Sequence, residues 1–324
     1  MYSSKELLLQ VNEAIAALPL EREPRGLYEP IRYVLSLGGK RIRPVLMLMA
    51  YNLYREDVKP CIMPAIGLET YHNFTLLHDD LMDRAEVRRG KQCVHLKWND
   101  NTAILSGDNM LVLAFQYMMQ CPKEKLPDVL HIFSKTAIEI DEGQQYDVDF
   151  ETRNDVTEAE YIEMIRLKTS VLLACALQIG ATLADAPKED AEALYRFGEN
   201  LGLAFQLQDD YLDVYGDPAV FGKKIGGDIL CNKKTFMLIN ALLHASEKDR
   251  AELQQWLESK DCNPDEKIKA VTALYTKIGV DRMAKERMNA YYVKAEEYLA
   301  QVNLPEERKE MLHGIALELM GRQK

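Results

Sequence analysis

Two stretches of the sequence carry the same acidic pattern, each directly after a long apolar run. The first is Asp79-Asp80-Leu81-Met82-Asp83, and the second is Asp209-Asp210-Tyr211-Leu212-Asp213. On a helix of about 3.6 residues per turn, the first and last aspartates of each pattern lie almost above one another, so their charges repel. A single copy is typical of an acidic helix end in water. A second copy, placed in the same way, favours a functional site in which a cation offsets the repulsion.

Apolar residues recur with helical spacing along nearly the whole chain, and the alternation typical of strands is nearly absent. The predicted helices cover residues 5–18, 28–37, 44–54, 60–83, 99–119, 127–146, 157–184, 188–215, 233–245, 247–259, 265–278, 280–301 and 305–320. Thr157 followed by Glu160 is typical of a capping box at the start of one helix. No flexible linker, low-complexity stretch or short repeat interrupts the pattern. The sequence therefore predicts an all-α fold, with residues 1–324 forming a single domain.

Length and composition bound the class of protein. The 324 residues allow a large buried core, and the apolar fraction of 47% is typical of a soluble globular protein. No run of about eighteen apolar residues occurs, and the first residues lack a basic region followed by an apolar core, so we expect no transmembrane segment and no secretory signal. The six cysteines show no Cys-x-x-Cys spacing, which favours free thiols in a reducing compartment. We therefore predict a cytoplasmic protein.

The distribution of charge indicates the kind of ligand. A net charge of −11 argues against nucleic acid as a partner. Basic residues are nevertheless bunched in four places: Lys40, Arg41 and Arg43; Arg88, Arg89 and Lys91; Lys223 and Lys224; Lys233 and Lys234. Arg offers a planar fork of donors for phosphate oxygens and Lys a mobile point charge, whereas Mg²⁺ is usually held by one or two carboxylates plus substrate phosphates. The sequence therefore predicts a site for Mg²⁺ and a diphosphate.

Further residues carry a resemblance to a known family. They are Gly38-Gly39-Lys40-Arg41-Ile42-Arg43-Pro44, the first acidic pattern with Arg88-Arg89 behind it, Lys168-Thr169, Phe205-Gln206-Leu207-Gln208 before the second acidic pattern, Gly222-Lys223, Asp228 and Lys233. In this order the chain resembles the trans-isoprenyl diphosphate synthases, the family of farnesyl and geranylgeranyl diphosphate synthases. The resemblance extends over residues 38–234. It implies a single large helical bundle of the isoprenoid synthase type with a central cavity, assembled as a homodimer.

The resemblance also implies two substrates, isopentenyl diphosphate and an allylic diphosphate, and a role for each matching residue. Three Mg²⁺ ions per active site would be held by Asp79, Asp80, Asp83, Asp209, Asp210 and Asp213. The allylic diphosphate would contact Arg88, Lys168 and Lys223, and Lys233 would be a further substrate-binding residue. Isopentenyl diphosphate would lie on Lys40, Arg43, His72 and Arg89. The implied catalytic residues are Lys168, Thr169 and Gln206, of which Thr169 and Gln206, with backbone carbonyls, would face the allylic cation.

The implied reaction is a head-to-tail condensation that gives a short-chain all-trans prenyl diphosphate. Loss of the allylic diphosphate group leaves a carbocation, from which water must be excluded. The double bond of isopentenyl diphosphate attacks C1, and a proton then leaves to the released diphosphate. The sequence shows no Ser-His-Asp or Cys-His pattern that would indicate a covalent intermediate.

Residues before the first acidic pattern bear on product length. If the helix that ends at Asp83 lines the tail cavity, the residues four, five and eight positions before Asp79, which are Thr75, Phe74 and Tyr71, point along it. One aromatic residue five positions upstream resembles the geranylgeranyl-type enzymes, whereas two adjacent aromatic residues would resemble the farnesyl type. We therefore expect Phe74 to act as a floor and the product to be geranylgeranyl diphosphate, with farnesyl diphosphate as the alternative.

Two other classes share parts of this pattern. A class I terpene cyclase also uses Asp-Asp-x-x-Asp, but its second metal motif is normally of the Asn/Asp-x-x-Ser/Thr-x-x-x-Glu type and it needs no second diphosphate site. A regulatory subunit of a heteromeric prenyltransferase typically lacks one aspartate motif. Both motifs are intact in this chain, and Lys40, Arg43 and Arg89 are present for a second diphosphate.

Overall fold

The computed structural model of the chain describes residues 1–217, 225–259 and 262–321. Helices dominate it, and the predicted all-α fold class is confirmed. The helices are α1 (Ser4–Ala16), α2 (Arg25–Ser36), α3 (Ile42–Asn52), α4 (Lys59–Met82), α5 (Val94–Lys97), α6 (Asp100–Met118), α7 (Leu126–Thr152), α8 (Glu158–Ile165), α9 (Val171–Leu183), α10 (Lys188–Tyr215), α11 (Gly227–Leu230), α12 (Phe236–His244), α13 (Glu247–Glu258), α14 (Pro264–Ile278), α15 (Val280–Gln301) and α16 (Glu306–Met320). A 3₁₀ turn (Lys123–Lys125) precedes α7, and a π turn (Arg166–Ser170) joins α8 to α9.

Some elements begin and end where the sequence predicts, and others do not. Helix α7 continues to Thr152 instead of ending near residue 146, and the short helices α5 and α11 were not predicted. Helices α10 and α15 have the predicted bounds, and the capping box is present, with the backbone N–H of Glu160 donating to Thr157 Oγ1 at 3.2 Å. The predicted single helix over residues 157–184 is interrupted by the π turn. The predicted loop over residues 88–90 is instead part of an antiparallel hairpin of two short strands, β1 (Val87–Arg88) and β2 (Lys91–Gln92).

The chain divides into two compact units. Unit 1 comprises Met1–Ser134, Cys175–Leu194 and Leu304–Met311. Unit 2 comprises Lys135–Ala174, Tyr195–Asn303 and Leu312–Lys324. The single domain over residues 1–324 stays a prediction.

In unit 1, α4 packs along α6, and two glycines allow the close approach. A Cβ at Gly67 of α4 would lie 2.8 Å from the carbonyl oxygen of Ala114, and one at Gly107 of α6 would lie 2.1 Å from Nε2 of His78. A side chain at Gly67 would force the two helices apart because it meets backbone atoms, whereas one at Gly107 would displace the ring of His78. Because half of the residues of α4 are buried, its C-terminal end, which carries the first acidic pattern, is held in a defined place.

In unit 2, side chains of eight helices, α7, α8 and α10 to α15, form one buried apolar core. The core includes Tyr161 of α8, Leu207 of α10, Phe236 of α12, Val271 of α14 and Ala284 of α15. The second acidic pattern lies on α10 within this unit, as does the π turn that follows α8. Both elements therefore rest on a packed core, not on loops alone.

One stretch of the described chain is long and apolar enough to cross a membrane, although the sequence analysis predicts no such segment. It runs from Glu158 to Leu183 and has a mean hydropathy of 1.4 in its most apolar window. In that window 78% of the residues are buried inside the protein, as in the core helix of a soluble protein.

Candidate active site

The first acidic pattern lies at the C-terminal end of α4, where Asp83 is the capping residue. Carboxylates are unfavourable there, because the last carbonyl groups of a helix give this end a partial negative charge. Asp80 is buried, and Arg88 of β1 neutralises it, with Nε and Nη2 of Arg88 lying 3.0 and 2.6 Å from Asp80 Oδ1. Asp79 is half-buried and Asp83 is exposed. This helix end therefore concentrates negative charge that further cations would stabilise.

The hairpin tip contacts the glycine-rich loop between α2 and α3. Arg89 and Gly90 form the turn, with φ values of 53° and 73°, which are the left-handed values of a two-residue type I′ turn. The Arg89 guanidinium donates to the carbonyl of Gly38. It also lies against Gly39, where a Cβ would be 2.7 Å from Arg89 Cζ. Since Gly39 has a φ of +126°, only glycine suits this position. Lys40 directly follows Gly39 in the sequence.

A buried ion pair anchors this loop to α4. Nη1 of Arg41 lies 2.6 Å from Oε1 of Glu69, and both side chains are 2% exposed. Asn73 donates to the same carboxylate oxygen at 2.9 Å, and Arg41 also donates to the carbonyl of Leu35. Removing one partner would leave a buried charge uncompensated, at a cost of roughly 3–5 kcal/mol. Of the basic residues in this loop, Arg41 is therefore structural, whereas Lys40 is exposed to solvent.

Arg43 and His72 form a second contact in unit 1. Nη1 of Arg43 lies 3.1 Å from Nε2 of His72. Because a guanidinium only donates, Nε2 must accept, and the proton of the neutral ring then lies on Nδ1. Burial, and then the charge of Arg43 together with those of three further arginines, holds the pKa of His72 well below its ordinary value. A neutral His72 thus orients Arg43 without adding a competing charge.

Lys168 and Thr169 lie on the five-residue π turn of unit 2. Two glycines make room for it: a Cβ at Gly143 of α7 would lie 2.4 Å from the backbone nitrogen of Lys168, and one at Gly202 of α10 would lie 2.7 Å from Cα of Ser170. Single π turns within helices are frequent at functional sites. The glycines of two neighbouring helices therefore define where this turn, and the two side chains it carries, can lie.

Asp147 of α7 lies close to two of the lysines predicted to bind substrate. Nζ of Lys168 lies 2.6 Å from Asp147 Oδ2, and Nζ of Lys233 lies 3.8 Å from the same atom. Burial raises the pKa of Asp147, but the charges of Lys233 and Lys168 outweigh it and hold the pKa below its ordinary value. Asp147 is not among the residues predicted from the sequence. A signal was available, since Asp147 follows Gly143 by one helical turn and so lies on the same face.

The second acidic pattern contributes side chains of different kinds. Asp209 is half-buried. Oδ2 of Asp213 accepts the backbone N–H of Asp228 at 3.0 Å, so Asp213 caps the short helix α11 and holds Asp228 beside the pattern. Asp228 is part of the resemblance to the family, but no role was predicted for it from the sequence.

Asp210 is the most enclosed member of that pattern. Its oxygens accept hydrogen bonds from the Tyr161 hydroxyl and, at 3.2 Å, from Nε2 of Gln206. Oγ1 of Thr169 lies 3.3 Å from Oε1 of Gln206. Burial and the nearby charge of Asp228 raise the pKa of Asp210 to about 8. The structure thus joins the two predicted cation-facing residues to Asp210 and to Tyr161, which the sequence analysis did not identify.

The donors present suit Mg²⁺ in kind. Among the described residues, no three carboxylate, histidine or cysteine side chains are gathered into a closed metal cage. Mg²⁺ does not require one, because it keeps several waters and takes phosphate oxygens together with one or two carboxylates. Oxygen donors from Asp79, Asp83 and Asp209 are accessible to varying degrees and fit this mode of binding. The predicted substrate contact Lys223 lies outside the described residues.

Two of the three predicted chain-length residues, Phe74 and Tyr71, belong to a series of aromatic rings in unit 1. The ring of Phe74 lies 5.6 Å from that of Tyr71, which lies 5.3 Å from Phe133, which in turn lies 4.9 Å from Phe115. Tyr71 is buried, whereas Thr75 donates its hydroxyl to the carbonyl of His72 at 2.8 Å. The sequence analysis did not find Phe115 and Phe133, because they come from other helices.

Comparison with known proteins identifies the family. Residues 24–275 match the family described as polyprenyl synthetase. The chain belongs to the polyprenyl synthetase family. A geranylgeranyl diphosphate synthase of Methanosarcina mazei is 44% identical over 226 residues, which is 69% of each protein. A (2E,6E)-farnesyl diphosphate synthase of Mycobacterium bovis is 34% identical over 288 residues, which is 88% of this chain and 80% of that protein.

A solved structure agrees over the whole length. A crystal structure of a geranylgeranyl pyrophosphate synthase matches with a TM-score of 0.93 and 43% sequence identity, covering 100% of both chains. The resemblance and the enzyme class predicted from the sequence are therefore confirmed: the chain is a trans-prenyltransferase, a short-chain trans-prenyl diphosphate synthase. The family implies isopentenyl diphosphate and an allylic diphosphate as substrates and generally uses Mg²⁺.

Proposed function

We propose that this prenyltransferase condenses isopentenyl diphosphate with an allylic diphosphate, in a Mg²⁺-dependent reaction, to give geranylgeranyl diphosphate. The observation that carries the product length is the pair of rings on α4, Phe74 and Tyr71, with Tyr71 buried against Phe133. A single large ring above a second, buried ring makes a firm floor for a growing chain. Farnesyl diphosphate is the alternative product. It would be favoured if the floor lay one isoprene unit closer to the diphosphate.

Four residues of unit 1 are proposed to bind isopentenyl diphosphate: Lys40, Arg43, His72 and Arg89. The support is their mutual arrangement, since His72 orients the guanidinium of Arg43 and the Arg89 side chain lies on the Gly38-Gly39 backbone. Guanidinium groups held in place by the protein bind phosphate oxygens with less loss of side-chain entropy than mobile ones. Because His72 is neutral, the site's positive charge belongs to residues that cannot lose it near neutral pH.

The allylic diphosphate is proposed to bind to Arg88, Lys168, Lys223 and Lys233, and the acidic patterns to bind three Mg²⁺ ions through Asp79, Asp80, Asp83, Asp209 and Asp213. Bound Mg²⁺ would neutralise the diphosphate and act as a Lewis acid on the leaving group. Lys168 and Lys233 both lie near Asp147, which keeps two cationic side chains together in the absence of a ligand. A diphosphate carries more negative charge than Asp147, so both lysines can turn from Asp147 to the diphosphate when it binds.

Thr169 and Gln206 are proposed to stabilise the allylic carbocation with their side-chain oxygens. Both side chains are neutral, so they stabilise the carbocation through their dipoles and do not form an ion pair with it. Both stand on elements fixed by packing, the π turn and α10, which favours preorganised dipoles over mobile ones. No nucleophilic residue is needed in this scheme, and exclusion of water protects the cation.

The reaction type is tested by incubating the purified chain with labelled isopentenyl diphosphate and an allylic starter. We expect label to enter a longer prenyl diphosphate only when Mg²⁺ is present. A class I terpene cyclase would instead consume the allylic diphosphate without isopentenyl diphosphate, and a regulatory subunit alone would be inactive. Condensation that persists after strict removal of divalent metal would contradict the proposal.

We further propose a cytoplasmic homodimer. All six cysteines are free thiols, as expected in a reducing compartment. On α6 of unit 1, Leu105 and Val112 are 60% and 56% exposed and lie seven residues apart, so they share one face of the helix. Exposed apolar residues on one face are typical of a protein interface. A Leu105→Glu/Val112→Glu variant should sediment as a monomer, and an unchanged dimer would exclude this face.

A further inference from the structure

We propose that Tyr161 and Asp210 are positioning residues that together hold the side-chain amide of Gln206 in one orientation. The inference rests on the proposed role of Gln206 and Thr169 beside the allylic cation. It differs from the sequence-based prediction, in which Asp210 is a metal ligand.

A continuous series of hydrogen bonds joins four side chains of unit 2. The Tyr161 hydroxyl donates to Oδ2 of Asp210. Nε2 of Gln206 donates to Oδ1 of Asp210 at 3.2 Å, and Oγ1 of Thr169 donates to Oε1 of Gln206 at 3.3 Å. Each oxygen of Asp210 therefore accepts a bond from a different side chain, and the Gln206 amide is held at both ends.

The inner end of this series is closed to solvent. Tyr161 is 2% exposed and Asp210 is 4% exposed, whereas Gln206 and Thr169 are partly exposed. A buried carboxyl group depends on protein donors, because water cannot replace one that is lost. Gln206 lies one helical turn before Asp210 on α10. Asp210 is thus placed as an internal support for Gln206 and not as a group at the surface of a cleft.

The polarity of the series decides what Thr169 can do. The two ends of a glutamine amide are nearly alike in shape, so only hydrogen-bond partners fix which end is the oxygen. Oδ2 of Asp210 already accepts from the Tyr161 hydroxyl, and Oδ1 accepts the hydrogen bond from the Gln206 amide. Nε2 of Gln206 must therefore point inward and Oε1 toward Thr169. This uses the hydroxyl hydrogen of Thr169 and leaves its lone pairs available to a cation.

A reversed amide would have the opposite effect. Its Nε2 would donate to Thr169, and the hydroxyl hydrogen, with its partial positive charge, would have to turn elsewhere. The developing carbocation would then face a weaker or reversed dipole, which slows ionisation without weakening the binding of either diphosphate. Tyr161 and Asp210 are therefore expected to affect the chemical step and not ground-state affinity.

The test is a double-mutant cycle between Tyr161→Phe and Gln206→Ala, read as the single-turnover rate of condensation. In the natural background, Tyr161→Phe should lower this rate about tenfold, as expected when one supporting hydrogen bond is lost. In the Gln206→Ala background it should have no further effect, because the amide on which it acts is gone. The KM values for both diphosphates and the half-saturating Mg²⁺ concentration should stay close to those of the unmodified protein.

Tyr54→Phe is the matched control. The Tyr54 hydroxyl donates to Oδ2 of the buried Asp190 at 2.8 Å, so the variant loses the same kind of bond several turns earlier on α10. It should lower the melting temperature by a similar amount and leave the single-turnover rate unchanged. If Tyr161→Phe does not fold, Asp210→Asn tests the same point. The asparagine amide can donate to Oε1 of a reversed Gln206, so this variant no longer fixes which end of the Gln206 amide faces Thr169.

Three results would overturn the inference. They are an unchanged rate in Tyr161→Phe, an equal loss of rate in both backgrounds, or a rise in the half-saturating Mg²⁺ concentration, which would make Asp210 a ligand that Tyr161 supports. Gln206→Ala is read separately. A normal rate in that variant would refute the proposed role of the amide itself, whereas an additive cycle refutes only the positioning by Tyr161 and Asp210.

Discussion

Phe74 and His72 show how single residues of α4 act through partners from elsewhere in unit 1. Phe74 lies above Tyr71, whose ring is backed by Phe133, and His72 accepts from Arg43. The sequence could identify Phe74 through its spacing from Asp79 on one helix, and His72 only through the resemblance to the family. It could not identify Phe133 as backing or the Arg43–His72 bond, since both depend on how other elements pack against α4.

At this scale we predict that Phe74→Ala lengthens the product. Removing the ring opens the space above Tyr71, so elongation should continue by one or more isoprene units before the chain meets the next ring. The measurement is chromatography of dephosphorylated products. Phe115→Ala is the control, because it removes an equal ring at the far end of the same series while Phe74 and Tyr71 stay in place. An unchanged product in Phe74→Ala, or an equal shift in both variants, would refute the role of Phe74 as a floor.

We also predict different effects of two substitutions at His72. His72→Leu removes the acceptor for Arg43 and should raise the KM for isopentenyl diphosphate about tenfold, as expected for a hydrogen bond to a charged group. His72→Gln offers an amide oxygen in its place and should retain most of the affinity. Steady-state kinetics with each substrate varied in turn provides the measurement. A comparable rise in the KM for the allylic diphosphate, or equal effects of Leu and Gln, would contradict the assignment.

At the scale of elements, the long helices were predictable and the short departures from them were not. Helices α10 and α15 carry sustained helical spacing, and their predicted bounds are correct. The π turn that carries Lys168 and Thr169 leaves no mark in the spacing, because it inserts into an otherwise apolar helix. The hairpin after Asp83 has strands of two residues each, too short to show alternation. The π turn depends on Gly143 and Gly202 of neighbouring helices, and the hairpin depends on the turn at Arg89 and Gly90. These contacts become visible only in the packed structure.

The π turn leads to a prediction about Gly143. In Gly143→Ala the new Cβ would lie 2.4 Å from the backbone nitrogen of Lys168, so the turn must move. We expect a lower melting temperature and a loss of condensation rate of at least about tenfold, since Lys168 and Thr169 move with it. The experiment combines thermal unfolding with single-turnover kinetics.

Gly314→Ala is the control for that variant. No heavy atom lies within 4 Å of the Cβ position at Gly314 of α16, so alanine should stabilise the helix by about 0.5–1 kcal/mol and leave the rate unchanged. A Gly143→Ala protein with normal stability and normal rate would show that the turn does not depend on the close approach of α7.

At the scale of the whole molecule, the order of motifs was enough to predict the family, the fold class and the enzyme class, and the comparisons confirm all three. Motifs specify residue types that the chemistry requires, so they remain visible in sequence. Product length depends on the depth of the space that those residues enclose. That depth is set by side chains from several helices, among them Phe133. From the sequence, only the contribution of Phe74 and its neighbours on α4 could be predicted.

The most direct test of the proposed function is the distribution of products from the purified full-length chain. Labelled isopentenyl diphosphate is supplied with dimethylallyl, geranyl or farnesyl diphosphate in the presence of Mg²⁺, and the products are separated by chain length. The proposal predicts that geranylgeranyl diphosphate predominates with every starter and that no condensation occurs without divalent metal. Products that stop at farnesyl diphosphate, or farnesyl diphosphate that is not extended, would contradict it.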